Sequence, residues 1–413
     1  MSVPTLTARE ARWLRATRLT SLLLAGTDGP GGEPAQTPPD VPGAGTRTVA
    51  GVVDWFGAMQ GQDLASVMWS LGLRTGLSRS AVASAFESGA FVRTWPMRGT
   101  LHVVPGPDAR WMVEHLGVRA LAGGRARRQT LGLEERDADR AADLLGEALA
   151  GGRAMTRAEC VALLEESGIP AARQRAYHLL WYSSQRGVTC VGPNRGKEQT
   201  FVLLDDFAPP GPRLDRPAAL ATIAERFVRS HGPVTAYDLA RWADLSMADA
   251  RAGLAAAEGT QTVSIGGRDL HLADRLLEAD GRPMDFIPAE SEEPTRSAEN
   301  DRGPVLPALA LPGFDELVLG YRDRTAQLAA DHERIVSPGG NGTFANTLVL
   351  EGRVVGTWRR RELTRTVDIT AMPFGHLPAR QRERLEGAFD RFGTYVDRSA
   401  RVTWTDSPPP GPD

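Results

Sequence analysis

Three times along this chain, two or three short helical patterns run into a β-ribbon pattern, the element order of a winged helix. The first copy has helical patterns over 49–56, 64–73 and 80–87, with Ser78 placed to cap the third, and a ribbon over 91–104. The second opens at Met155-Thr156-Arg157-Ala158-Glu159 and runs to Ser167-Gly168. It resumes over 174–186 and closes in a hairpin over 187–207 with residues 193–197 at its tip. The third spans 218–272, broken at Gly232-Pro233, with helices over 235–242 and 246–257 and a ribbon over 262–272. Tandem copies of one small α+β unit are the simplest organisation. The expected domains are 1–120, 121–214 and 215–272, followed by an acidic, Pro-containing loop over 273–304 and a C-terminal segment over 305–406. A Pro-rich tail over 407–413 is expected to be disordered. Ahead of the first copy, Thr7 and Glu10 form a capping-box pattern for a helix over 8–24. Residues 25–48, filled with Gly and Pro, read as a flexible insertion.

Size agrees with several domains, since 413 residues exceed one ordinary core. A hydrophobic content of 41% and a charged content of 24% are those of a globular protein. No apolar run approaches the roughly 20 residues that a membrane helix needs, and residues 19–25 lack the flanks of a signal peptide. A monomer in the cytoplasm, without a membrane partner, is expected. Cys160 and Cys190 lie 30 apart with neither a CxxC nor a paired His. That excludes a disulfide framework, argues against zinc and leaves reduced core residues. No metal and no cofactor is expected. The net charge of −3 does not announce a nucleic-acid binder. Arginine dominates the cations, however, and is the better bidentate ligand of phosphate. Lys197 is the only lysine, so a Schiff base could form only there or at the N-terminal amine.

Two stretches carry the candidate chemistry. In Gly57-Ala58-Met59-Gln60-Gly61-Gln62-Asp63, the amides of Gln60 and Gln62 lie at or near the end of the helix over 49–56. A neutral amide is a poor base, but it can hold a water with its carbonyl and its NH2 at once. An ordinary polar helix end is the alternative, because two glutamines at this spacing are a weak pattern. Asp63 is a stronger base if it points inward, or the N-cap of the next helix if it does not. In the ribbon after Trp95-Pro96, Arg98, Thr100 and His102 share one face at period 2. Phosphate or pocket contacts and a structural hydrogen bond are both open to them.

Other basic residues are more dispersed. Arg195 and Lys197 lie at a hairpin tip, suited equally to a phosphate or to solvent. Arg353, Arg359 and Arg360 flank Trp358 on a further hairpin, with strands over 344–350 and 353–360 turned at Glu351-Gly352. Basic plus aromatic suits backbone or minor-groove contact; an edge that blocks aggregation is the alternative. Trp55 and Trp69 are read as core. Phe314-Asp315-Glu316, with no His or Cys partner, is read as packing rather than as a metal site.

At these residues the chain resembles the bacterial winged-helix proteins that include the AlkZ-type DNA glycosylases. The resemblance covers nearly the whole chain. It rests, in order, on Met59-Gln60-Gly61-Gln62, Trp95-Pro96-Met97-Arg98-Gly99-Thr100-Leu101-His102, Gly196-Lys197-Glu198-Gln199-Thr200-Phe201, Phe314-Asp315-Glu316 with Tyr321-Arg322-Asp323-Arg324, and Val354-Val355-Gly356-Thr357-Trp358-Arg359. It implies tandem winged helices in a C-shape, with double-stranded DNA across the concave face. It also implies excision of N7-alkylated guanines and, in some members, unhooking of interstrand crosslinks made by natural-product alkylators. The family's catalytic motif is Gln, an apolar residue, then Gln, which Gln60 and Gln62 match. Two features depart from it: Gly61 is smaller than the usual middle residue, and the 25–48 insertion lies just before the site.

The implied chemistry suits these residues. An N7-alkylguanine is already cationic, so its leaving group needs no acid. What remains is to position a water and stabilise an oxocarbenium-like sugar, which preorganised amide dipoles can do. Scarcity of lysine fits a monofunctional, water-using enzyme. The expected function is excision of bulky N7-alkyl purines, in resistance to a self-made genotoxin. The alternative is a non-catalytic winged-helix DNA-binding protein or regulator. A regulator would carry a base-reading helix rich in Arg, Asn and Gln, and no helix here is clearly of that kind.

Overall fold

The computed structural model describes residues 6–25, 47–278, 284, 306–338 and 342–405. Most of the 25–48 insertion, most of the acidic 273–304 loop and the 407–413 tail fall outside the described residues. Local signals set the early helices. Helix α1 (Ala8–Ser21) begins with the capping box: the Thr7 hydroxyl accepts the Glu10 N–H and the Glu10 carboxylate accepts the Thr7 N–H. Helix α2 (Val49–Phe56) starts at Thr48 and stops at Gly57, whose φ of 72° suits glycine. The chain then pairs instead of coiling: β1 (Met59–Gln60) is a two-residue strand. This corrects the expectation that Gln60 lies at a helix end. Helices α3 (Leu64–Thr75) and α4 (Arg79–Ala85), capped by Asp63 and Ser78, lead to the ribbon of β2 (Phe91–Met97) and β3 (Thr100–Pro105). Strand β3 holds β1 antiparallel, with Met59 opposite Val103 and Gln60 opposite His102.

After α5 (Ala109–Leu116) come two helices that the sequence reading did not assign, α6 (Val118–Thr130) and α7 (Glu135–Leu149). Helix α6 buries only Gly124 and Arg128, so it has no apolar stripe to read. Helix α7 does carry a stripe at helical spacing, Ala138, Ala141, Ala142, Leu145 and Leu149, on its inner face. The second helix–ribbon copy follows: β4 (Ala154–Thr156), α8 (Arg157–Glu166), α9 (Gln174–Gln185), β5 (Thr189–Arg195), β6 (Glu198–Leu203) and α10 (Leu204–Phe207). The third is α11 (Arg216–His231), α12 (Ala236–Ala243), α13 (Met247–Ala256), β7 (Thr260–Ile265) and β8 (Arg268–Ala273). The C-terminal part holds β9 (Ala308–Leu311), α14 (Glu316–Leu319), α15 (Glu333–Val336), β10 (Thr347–Leu350), β11 (Arg353–Glu362), β12 (Thr366–Pro373), α16 (Ala379–Tyr395) and β13 (Ser399–Trp404).

The first two ribbons join edge to edge in one six-stranded sheet, ordered β1-β3-β2-β5-β6-β4, with Arg93 opposite Val191 at the seam. The third ribbon stands as a two-stranded sheet. The expected C-terminal hairpin is present as β10 and β11. Its turn residues Glu351 and Gly352 both take positive φ, as a two-residue turn of type I′ requires. It is only part of a five-stranded sheet, β13-β12-β11-β10-β9, in which β12 and β13 run parallel. Trp358 faces the core there, against Phe389 and Phe392 of α16, and is closed to a minor groove. Trp69 is likewise buried and Trp55 half-buried, both donating to backbone carbonyls. Cys160 and Cys190 are buried, and burial pushes the Cys160 thiol up to about 12. Among the described residues no helix is long and apolar enough to cross a membrane.

Candidate active site

Gln60 and Gln62 lie where β1 leaves the edge of the six-stranded sheet, and the backbone between them is pinned from two strands. The Gly61 N–H donates to the Leu101 carbonyl at 2.9 Å, and Arg93 Nη2 of β2 donates to the Gly61 carbonyl at 3.2 Å. A Cβ on residue 61 would stand 3.2 Å from the Val103 nitrogen and 3.3 Å from the His102 carbonyl carbon. The small middle residue therefore draws β1 against β3 rather than loosening the turn.

The two amides are linked through this turn. Gln60 Oε1 accepts the Gln62 backbone N–H at 2.5 Å, and Gln62 Oε1 accepts the Leu101 N–H at 3.1 Å. Each carbonyl oxygen keeps a second lone pair for another donor. Gln60 is 8% exposed, whereas Gln62 faces solvent. Asp63 is taken up by α3: its carboxylate accepts the Ala65 N–H at 3.2 Å and the Ser66 hydroxyl at 2.6 Å. This is the capping arrangement rather than that of a base.

Arg98, Thr100 and His102 form one hydrogen-bonded group behind Gln60. Arg98 occupies the β2–β3 turn at a φ of 56° and donates from Nη2 to His102 Nε2 at 2.8 Å. His102 Nδ1–H donates to the Thr100 carbonyl at 2.8 Å, which fixes the tautomer. Burial, then the Arg98 cation, lower the His102 pKa well below the usual histidine value, so the ring is neutral. Its ring is 1% exposed.

Glu316 completes the inner wall, and the sequence reading missed its partners. One carboxylate oxygen accepts the Gln60 backbone N–H at 3.4 Å; the other meets His231 Nε2 at 3.2 Å and Trp242 Nε1 at 3.1 Å. Glu316 thus does have a histidine partner, delivered in space by α11. Asp315 is buried in a two-pronged pair with Arg74, at 2.8 and 3.1 Å, and accepts the Ser70 hydroxyl. Burial alone would raise its pKa, but the Arg74 guanidinium and the hydrogen bonds outweigh this and hold it below the usual carboxylate value. Among the described residues no group of three or more His, Cys, Asp and Glu could hold a metal.

The remaining candidate cations are dispersed. Arg195 pairs with Glu159 at 2.8 Å and donates to the Ala154 carbonyl, while Lys197 is exposed at the turn between β5 and β6. Arg353 and Arg359 are exposed on β11, and Arg360 lies over the Trp358 and Phe392 rings. A further basic surface went unread: α6 exposes Arg119, Arg125 and Arg127 and carries no acidic residue. The run of arginines between 119 and 128 was its one signal, and it has no apolar period to mark it as a helix.

Comparisons with known proteins agree on what this arrangement belongs to. The family described as DNA glycosylase AlkZ-like matches residues 53–395, a span that includes both glutamines, the Arg98–His102 group and Glu316. A relative from Streptomyces sahachiroi named "Interstrand DNA cross-link repair glycosylase" is 27% identical over 295 residues, covering 68% of this chain and 73% of that protein. The solved structure of Streptomyces sahachiroi DNA glycosylase AlkZ is similar with a TM-score of 0.68 at 23% identity, over 95% of this chain and 99% of that one. Likeness at that identity speaks for a shared mixed α+β fold. With its family pattern matched over most of its length, the chain belongs to the AlkZ-like DNA glycosylases.

Proposed function

We propose that this chain is a monofunctional DNA glycosylase that hydrolyses the N-glycosidic bond of bulky N7-alkylguanine adducts, interstrand crosslinks among them. The observation that carries the reading is the Gln60-Gly61-Gln62 turn, pinned at the sheet edge inside the span that matches the family. In this reading Gln60 and Gln62 each use one lone pair to lock the turn and the other to hold the attacking water or face the developing sugar cation. Fixed dipoles of this kind need no reorganisation as charge develops. Glu316 holds the Gln60 backbone N–H from behind and so helps to fix the Gln60 strand. Arg98, Thr100 and His102 act from within, as support for the Gln60 strand, since His102 is closed to a phosphate. Arg195, Lys197, Arg353, Arg359 and Arg360, with the arginines of α6, take the phosphate contacts of double-stranded DNA. The architecture we propose is about three tandem winged helices in a C-shape, acting as a cytoplasmic monomer. The name of the Streptomyces sahachiroi relative supports the crosslink part of the reading.

The test is base release from duplex oligonucleotides carrying one N7-methylguanine or one bulky N7 adduct. Wild type should release the base, and the Gln60→Ala/Gln62→Ala double variant should not while still binding duplex. No release from either substrate by a folded, duplex-binding wild type would reject the enzyme reading.

A further inference from the structure

Gln60 lines a small gap beside Ser66, Ser70 and Glu316, whereas Gln62 lines a separate cleft of about 770 Å³ between the β2–β3 ribbon and the α8–α9 pair. Sites for drug-sized molecules span about 300–1,000 Å³, so this volume far exceeds what a methyl group needs. Apolar and aromatic side chains form part of its walls, Trp95 and Leu101 from the ribbon, Val161 from α8, Tyr177 and Leu180 from α9, and Phe201 from β6; Arg157, Glu165, Arg173 and Glu198 add charged groups to the lining. Tyr177 is 45% exposed, an aromatic left uncovered in a cleft rather than in a core.

Two further observations mark this wall. Arg93 and Trp95, two apart on β2, both line the cleft, and among the described residues neither Arg93 Nε nor Trp95 Nε1, both buried beneath its surface, has a hydrogen-bond partner. Buried donors in that state are rare. Arg173, on the wall where α9 begins, holds a φ of 58° and ψ of −123°, which a side-chain-bearing residue adopts only when its surroundings impose it. What enters must also be joined to the group at Gln62.

We infer that this cleft receives the N7 substituent of the adduct, an apolar or aromatic group stacked on Tyr177. The cleft thereby sets the preference for bulky over small lesions. The inference rests on the glycosylase reading above.

The experiment compares kcat/KM for release of a bulky aromatic N7 adduct and of N7-methylguanine from the same duplex, and reads their ratio. In Tyr177→Ala the ratio of bulky to methyl should fall about tenfold, the scale of one lost aromatic stack. Ala162 lies exposed on the α8 wall, so Ala162→Trp fills the cleft without disturbing the core and should lower the ratio as well. A ratio unchanged in both folded variants overturns the inference; equal losses on both adducts would assign the cleft to the nucleotide they share. Release of neither adduct by wild type rejects the glycosylase reading itself, an outcome distinct from an unchanged ratio.

Discussion

At the scale of single residues, the proposed chemistry is carried by groups that do not titrate near neutrality. Gln62→Ala removes a dipole and no charge, so it should cut excision about 10²- to 10³-fold, the loss seen when one preorganised donor or acceptor is deleted. Duplex affinity should stay within about twofold, checked by single-turnover release beside an equilibrium titration. Loss of binding with unchanged turnover of bound substrate would remove Gln62 from the chemistry. Burial keeps His102 neutral, and burial with Arg128 nearby lowers His178 to about 4. Below a pH of about 6.5 the unfolded chain protonates these rings and the folded chain does not. Stability should therefore fall on acidification from about pH 7 to pH 5, read as the urea midpoint. The single-turnover rate should stay flat between about pH 6 and pH 8, since an amide has no proton to exchange there. A rate inflection near 6.5 would indicate a titrating base in the step.

Elements divide according to how local their causes are. Caps and turns were legible: Thr7 with Glu10, Ser78, Asp63 and the Glu351-Gly352 turn act within a few residues of themselves. Strand β1 was not, because its partner β3 lies some forty residues on and no two-residue strand has a period of its own. For the same reason the Glu316–His231 contact, spanning 85 residues, was invisible in sequence order. The glutamine pair could be picked out, whereas the wall that positions it could not. Helix α6 escaped because close packing by a glycine leaves no apolar pattern. A Cβ on Gly124 would stand 2.6 Å from the Trp181 ring, while one on Gly123 meets nothing within 4 Å. Gly123→Ala should therefore stabilise by about 0.5–1 kcal/mol through helix propensity. Gly124→Ala should destabilise by about 1–3 kcal/mol through overpacking. Urea denaturation of the two variants checks both signs; stabilisation by both would mean that α6 does not lie against Trp181.

Across the whole molecule, the repeated helix–ribbon pattern was readable and its assembly was not, because period and composition do not say which ribbon edge meets which. One large core runs from α1 through α11 and the C-terminal sheet to α16, and it includes inner residues of the first copy and of the third copy's helices, while the third ribbon packs on Trp13 and Leu14 of α1. The second copy has a smaller core, formed by α7, α8, α9 and β6 with Trp95 and Leu101 from the first ribbon, while its Cys190, Val202 and Leu204 pack into the large one. The sheet ladder joins the first ribbon to the second at a single residue pair, Arg93 and Val191. The wall of the cleft beside Gln62 is thus built largely on the smaller core. A unit with less buried apolar surface and one backbone seam opens at lower free energy than the body it leans on. Native-state hydrogen exchange should show the amides of α8 and α9 opening sub-globally, while those of α11 and α16 exchange only through global unfolding. A substrate that fills the cleft binds the closed form alone and should raise protection in α8 and α9 selectively. Equal opening free energies in all four helices would show the two cores to be one cooperative unit, and the seam at Arg93 to be no weaker than the rest of the sheet.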